Sequence, residues 1–225
     1  MIIAIDGPSG AGKSTVAKAV AKKLDFSCLD TGAMYRAVAW QALSDGVALD
    51  DEEALGRIAC EKNIEFGHAD GDPVPKRVFI DGIEVTEAIR TAEIDKAVSP
   101  VSAAKPVREA LVAQQQRIGR AGNYVVEGRD IGTVVFPEAE VKVVLTASDE
   151  ERAHRRVRQN VDRGIGSIDY GEVLADLQRR DEHDSTRATS PLKPADDAVH
   201  IDSTGSYIED VIERICEMAR NKMNR

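Results

Sequence analysis

At 225 residues the chain has room for one α/β domain with a small insertion, and 42% apolar residues can supply its core. A net charge of −9 argues against a sequence-independent grip on a nucleic acid polymer, so any basic surface is local. No apolar run approaches a membrane span, and three scattered cysteines, Cys28, Cys60 and Cys216, argue against a disulfide framework or zinc site and fit a reducing cytosol.

A first buried strand is expected at "MIIAI", almost at Met1, which leaves no room for a signal peptide. "GPSGAGKST" follows, and Ser14 to Leu24 reads as a helix with Ala17, Ala21 and Leu24 at helical spacing. Gly7, Gly12, Lys13 and Ser14 fill the fixed positions of G-x-x-x-x-G-K-[ST]. Gly7, Gly10 and Gly12 allow backbone conformations that a Cβ would block, so successive N–H groups can turn inward around an anion. Pro8, Ser9, Ala11 and Thr15 complete the cradle. Lys13 can reach the β- and γ-phosphates, the Ser14 hydroxyl can ligate Mg²⁺, and the helix N-terminus adds its positive end. The expected ligand is a nucleoside triphosphate.

Further along, "FSCLDTG" reads as a short strand ending in a turn, and "AMYRAVAWQALSDG" as a helix closed by Gly46. The acidic start of "DDEEALGRIACEKN" suits a helix N-terminus. Residues 63–90 change character: "DG" between "VFI" and "IEV" is a hairpin signature, which predicts a small antiparallel insert. Helix resumes from Ile94 and reaches a strand at "NYVVEG"; "VKVVL" is another buried strand. Ser148 and Glu151 stand in capping-box positions before an arginine-rich helix. "DAVHIDS" is a late strand, and Ile208, Val211, Ile212, Ile215 and Met218 mark one face of a closing helix. Alternating strands and helices with one β-rich interruption predict a three-layer α/β fold around a parallel sheet.

Three clues bear on the phosphoryl acceptor. In "LDTGAMYR", Thr31 can cap a helix with Arg36 in its second turn, where open α/β sheets bind ligands; an ordinary N-cap with a solvated arginine would look the same. In "EGRDIGT", Glu127 ends a strand where P-loop enzymes keep a carboxylate for Mg²⁺, and Arg129 and Asp130 follow in a tight turn. Arg152, Arg155 and Arg156 share a helix face, with Arg179, Arg180 and Arg187 beyond them, and such cations suit phosphoryl transfer. His68, His154, His183 and His200 sit in no motif, so no base stands out, which favours an acceptor already ionised at pH 7, although Asp30 or Asp130 could serve as a base. No guanine-reading N-K-x-D occurs. A kinase for another small metabolite and a slow nucleotide-binding regulator stay open at the level of spacing.

"IDGPSGAGKST", "LDTGAMYR", "IRTAEI", "PVREAL", "EGRDIGTVVFP", "SDEERAHRR" and "STRATSPL" occur in this order across the chain. Together they closely resemble the bacterial cytidylate kinases, the CMP/dCMP kinases of the nucleoside monophosphate kinase group. The resemblance implies a P-loop core at 1–62 and 91–225, a mobile helical lid at about 149–166, and the β insert at 63–90 as part of the acceptor domain. It implies ATP and Mg²⁺ as cofactors, CMP and dCMP as substrates, and a cytoplasmic monomer. Thr31, Arg36 and Arg129 would hold the CMP phosphate; Ser99 (or the neighbouring Ser102), Arg108, Asp130 and Arg187 would frame cytosine; Arg180 and Asp184 would meet the ribose. Lys13 would hold the donor phosphates, and Arg36, Arg129 and lid arginines such as Arg152 and Arg156 would neutralise the transition state, with Mg²⁺ on Ser14 and, through water, on Glu127 or Asp30. Glu127 stands where many family members carry Asp, and Thr31 where Ser is also common.

Overall fold

The computed structural model describes residues 1–224. Strands β1 (Ile2–Asp6), β2 (Ser27–Asp30), β6 (Tyr124–Gly128), β7 (Val141–Thr146) and β8 (Val199–Asp202) pair in parallel in the order β2-β6-β1-β7-β8. Side chains alternate across a strand, so β1 sends Ile3 and Ile5 to one core and Ala4 to the other. Helices α1 (Lys13–Leu24) and α8 (Ile208–Met223) cover the first face. Helices α2 (Thr31–Ser44), α3 (Glu52–Glu61), α4 (Ala92–Ala103) and α5 (Lys105–Gly119) pack over the second. This is the expected three-layer α/β arrangement. Each fully buried Ile or Leu in these cores stabilises the fold by about 1.5–3 kcal/mol.

The register decides where chemistry can occur. Asp6 on β1 pairs with Gly128 on β6, and Asp30 on β2 pairs with Glu127, so three strands end at one level. Their carboxyl-end loops, beginning at Gly7, Thr31 and Arg129, therefore converge, as ligand-binding loops of open α/β sheets do.

The insert forms a second, antiparallel sheet of β3 (Ile64–Gly67), β4 (Arg77–Ile80) and β5 (Ile83–Glu84). Asp81 and Gly82, at φ 47° and 78°, make the tight turn that "DG" predicts. Val78, Ile80, Val85 and Ile89 are buried in the same core as α2 and α3, so the insert packs onto that face.

Several local expectations need correction. Asp30, not Thr31, caps α2: its carboxylate accepts from the Ala33 N–H at 3.0 Å, while Thr31 is the first helical residue. The helix expected from Ile94 starts at Ala92 and is two helices. Pro106 cannot donate to the Ser102 carbonyl, so the chain is extended at Ala104 before α5 begins. Helix α6 (Asp149–Arg163) forms half of a capping box: Ser148 accepts from the Glu151 N–H, but Glu151 turns to Arg155. On α8, Val211, Ile212 and Ile215 are buried as expected, whereas Ile208 stays exposed at the helix start. Helix α7 (Tyr170–Thr186) packs on α6 through Val173 and Leu177.

Candidate active site

The converging loops open into a cleft of about 830 Å³, within the range of ligand sites. At its floor, Gly7, Gly10 and Gly12 take φ values of 149°, 80° and 94°. A Cβ on Gly7 would run into the Leu145 carbonyl oxygen on β7, so the loop can turn here only without a side chain. Ser9 through Thr15 line the cleft, whereas Gly7 and Pro8 do not.

Lys13 is buried, and its Nζ donates to the Pro8 carbonyl at 2.7 Å. Burial and the nearby Arg129 push its ammonium well below the ordinary lysine range, against the pull of Glu127. Glu127, at the end of β6, is pushed up by burial and by Asp30, while Lys13 and Ser14 oppose the shift. The Ser14 hydroxyl donates to Glu127 Oε2 at 2.8 Å, and the buried Glu127 Oε1 has no hydrogen-bond partner. A hydroxyl beside a carboxylate with a free oxygen is a hard-oxygen donor set that fits Mg²⁺, which takes one or two protein ligands and the rest from phosphates and water.

The motif after β6 is held from the neighbouring strand. Asp6, at the end of β1, accepts from the N–H groups of Ile131 and Gly132, both at 2.8 Å. Burial raises its carboxyl to about 6, with those two N–H bonds opposing the shift. This anchor starts a π-helical turn, Ile131–Val135, and points Arg129 and Asp130 into the cleft.

Arg108, Asp130 and Arg187 form a buried cluster at one end. Arg108 donates to Asp130 and, at 3.2 Å, to the Ser102 carbonyl that Pro106 left without a helical donor. Arg187 lies 3.8 Å from Asp130 and 3.7 Å from Asp184. The Arg108 guanidinium stands 5.3 Å over the Tyr35 ring, and both Arg108 and Arg187 keep a buried N–H nitrogen without a partner. Ser99 and Ser102 line this end; Ser102 donates to the Ser99 carbonyl at 3.0 Å. Tyr35 is a lining residue that sequence reasoning missed.

Between the P-loop and this cluster, arginines crowd together. Arg129 donates to Asp184 at 2.9 Å. Arg36 donates to the Ile89 carbonyl at 3.1 Å and to Asp95. Arg156 of α6 also binds Asp95. Arg180 is depressed to about 10 by burial, Arg129 and Arg36, the behaviour of a cation among cations. The Thr31 hydroxyl donates to the Glu127 carbonyl at 2.7 Å, so its proton braces β6 against α2.

Arg152, expected at the transferring group, does not line the cleft. It is buried, donates to the Ser9 carbonyl at 2.9 Å, and pairs with Asp149 and with Asp181 at 2.6 Å, tying the P-loop to α6 and α7. Arg155 from the same helix face lines the cleft instead, held by Glu151, Ser203 and the Ala11 carbonyl. None of the four histidines lines it.

The family described as "Cytidylate kinase" matches residues 3–221. The chain is 50% identical over 220 residues to a cytidylate kinase of Enterococcus faecalis, covering 98% of this chain and 96% of the relative. It is 52% identical over 216 residues to a cytidylate kinase of Rhodococcus jostii, covering 96% and 93%. A solved structure of an uncharacterized protein from Eubacterium ventriosum, 9% identical, covers 96% of both chains with a TM-score of 0.54 and speaks for the fold alone. The chain belongs to the cytidylate kinase family.

Proposed function

We propose that this chain transfers the γ-phosphoryl group of ATP to the phosphate of CMP or dCMP, giving ADP and CDP or dCDP. One observation carries the reading: a single cleft runs from the P-loop, past Arg36, Arg129, Arg156 and Arg180, to the buried Arg108–Asp130–Arg187 cluster. Lys13 and the P-loop amides hold the donor phosphates. Ser14, with Glu127 through water, would hold Mg²⁺, which when bound would neutralise phosphate charge and orient the donor. Arg36 and Arg129 take the CMP phosphate, and with Arg156 they offset the charge that spreads over the transferred group. The acceptor oxygen is already ionised at pH 7, so in-line attack needs no base.

The base end suits cytosine. Its N4 amine donates and its N3 and O2 accept, which matches one carboxylate, Asp130, between two guanidiniums, Arg108 and Arg187, with Ser99 beside them. Uracil, with O4 and a protonated N3, leaves buried polar groups mismatched, which is how such sites reject analogues. Arg180 and Asp184 meet the ribose. Residues 63–90 serve the acceptor domain, and α6 is the lid that excludes water during transfer. Arg152 serves this lid as a tether to Ser9. The functional form is a cytoplasmic monomer, which sedimentation at micromolar concentration checks.

The test is ADP release from Mg²⁺–ATP with CMP, dCMP, UMP and AMP in parallel. Strong stimulation by CMP and dCMP is expected. Equal stimulation by UMP would discard the base-reading roles of Asp130 and Arg187, and no stimulation by any would discard the kinase.

A further inference from the structure

Asp95 lies in the first turn of α4, where an acid favourably meets the helix dipole, and no motif singles it out. The fold gives it a different setting. One carboxylate oxygen accepts from Arg36 of α2 and lies 3.9 Å from Arg180 of α7; the other accepts from Arg156 of α6 at 2.6 Å. Three guanidiniums from three helices thus meet on one carboxylate from a fourth, and all four residues line the cleft. Burial would raise the Asp95 carboxyl, but Arg36, Arg156 and Arg180 hold it below its ordinary value, so it is ionised at neutral pH. A favourable helix position does not account for a side chain turned onto three arginines of other elements.

We propose that Asp95 is an internal anion that competes with substrate phosphate for Arg36 and Arg156, the two members of this cluster assigned to phosphate, and so limits phosphate affinity, an inference that rests on the reading of the cleft as a CMP site. Without a phosphate, like charges would force these guanidiniums apart; Asp95 offsets that repulsion and joins the lid helix to the acceptor side. A phosphate that enters must displace the carboxylate or lie beside it. Displacement forfeits ion pairs, and proximity adds repulsion between anions. Either route weakens binding and speeds release of the phosphorylated product. Asp95 acts on the substrate through the arginines and is therefore a positioning residue.

The experiment compares wild type with Asp95→Asn by calorimetric titration of CMP, inorganic pyrophosphate and cytidine. Removing the competing charge should lower Kd for CMP and pyrophosphate roughly fivefold, the low end of coupling between linked sites, and leave cytidine unchanged. Kd values unchanged or raised for both phosphorylated ligands overturn the proposal, since a carboxylate that merely scaffolds the arginines would raise them. Asp95→Ser removes the same charge in a smaller side chain and decides the matter if Asp95→Asn does not fold. If wild type binds pyrophosphate but not CMP, the cytidylate reading fails while the pyrophosphate comparison still judges Asp95. If wild type binds both and the variants bind neither more tightly, the Asp95 proposal alone fails.

Discussion

Replacing Arg108 with Met should cost stability through the charge it strands. The Arg108 and Asp130 side chains are 3% and 5% exposed, so water cannot solvate either when its partner is removed. Breaking a buried pair costs about 3–5 kcal/mol. Arg187 remains 3.8 Å from Asp130 and moderates the loss, whereas the Ser102 carbonyl loses its donor and Tyr35 its overlying cation. Methionine keeps much of the aliphatic volume, so about 3 kcal/mol is expected, toward the low end. In a chain of this size each kcal/mol lowers Tm by about 2–4 °C, so Arg108→Met should melt about 6–12 °C below wild type. The assay is urea and thermal unfolding of Arg108→Met, Asp130→Asn and the double variant. The double variant removes Arg108 and Asp130 together and leaves Arg187 with Asp184 at 3.7 Å, so it should lose less than the two single losses combined. A single-variant loss under about 1 kcal/mol, or strict additivity, would refute the reasoning.

Lys13→Ala should lower kcat by at least about 10²-fold, the scale of losing one donor to a developing anion; near-normal kcat in a folded variant would remove the P-loop from the chemistry. Gly7→Ala should be poorly folded, since φ 149° and the Leu145 carbonyl both oppose a Cβ; a variant with wild-type Tm would contradict this geometry. Asp6 gives a pH signature. Its carboxyl sits near 6 against an ordinary 3.8, so in that window the native form holds a proton the unfolded chain has released. Its contribution to stability is therefore full below pH 3.8 and falls as pH rises toward 6. Asp6→Asn lacks this fall, so its stability deficit in urea should shrink by up to roughly 3 kcal/mol across the window, and a constant deficit would exclude the assignment.

The phosphate loop was legible because its physics is local: closely spaced glycines, a lysine and a hydroxyl suffice, and the apolar strand before it needs no distant partner to be recognised. The hairpin at Asp81–Gly82 was legible for the same reason. Asp30 and Thr31 mark the limit, because both can cap a helix and only the nearby Glu127 carbonyl draws the Thr31 hydroxyl away. Asp6 stands in the motif "IDGPSGAGKST" just past the expected strand, but its role carried no local signal, because it depends on N–H groups more than a hundred positions away.

By itself the sequence determined the parallel α/β class, the triphosphate cradle and, through its ordered motifs, the family. Which charge meets which was decided by tertiary structure. Helical spacing puts Arg152, Arg155 and Arg156 on one face of α6, but the docking of α6 on the P-loop buries Arg152 against Ser9 and leaves Arg155 and Arg156 to the cleft. Asp95 likewise becomes the centre of an arginine cluster only when α2, α4, α6 and α7 are assembled. Ion pairs act over a few ångströms of space and are indifferent to distance along the chain, so local patterns specify the elements and only their packing specifies the electrostatics of the site.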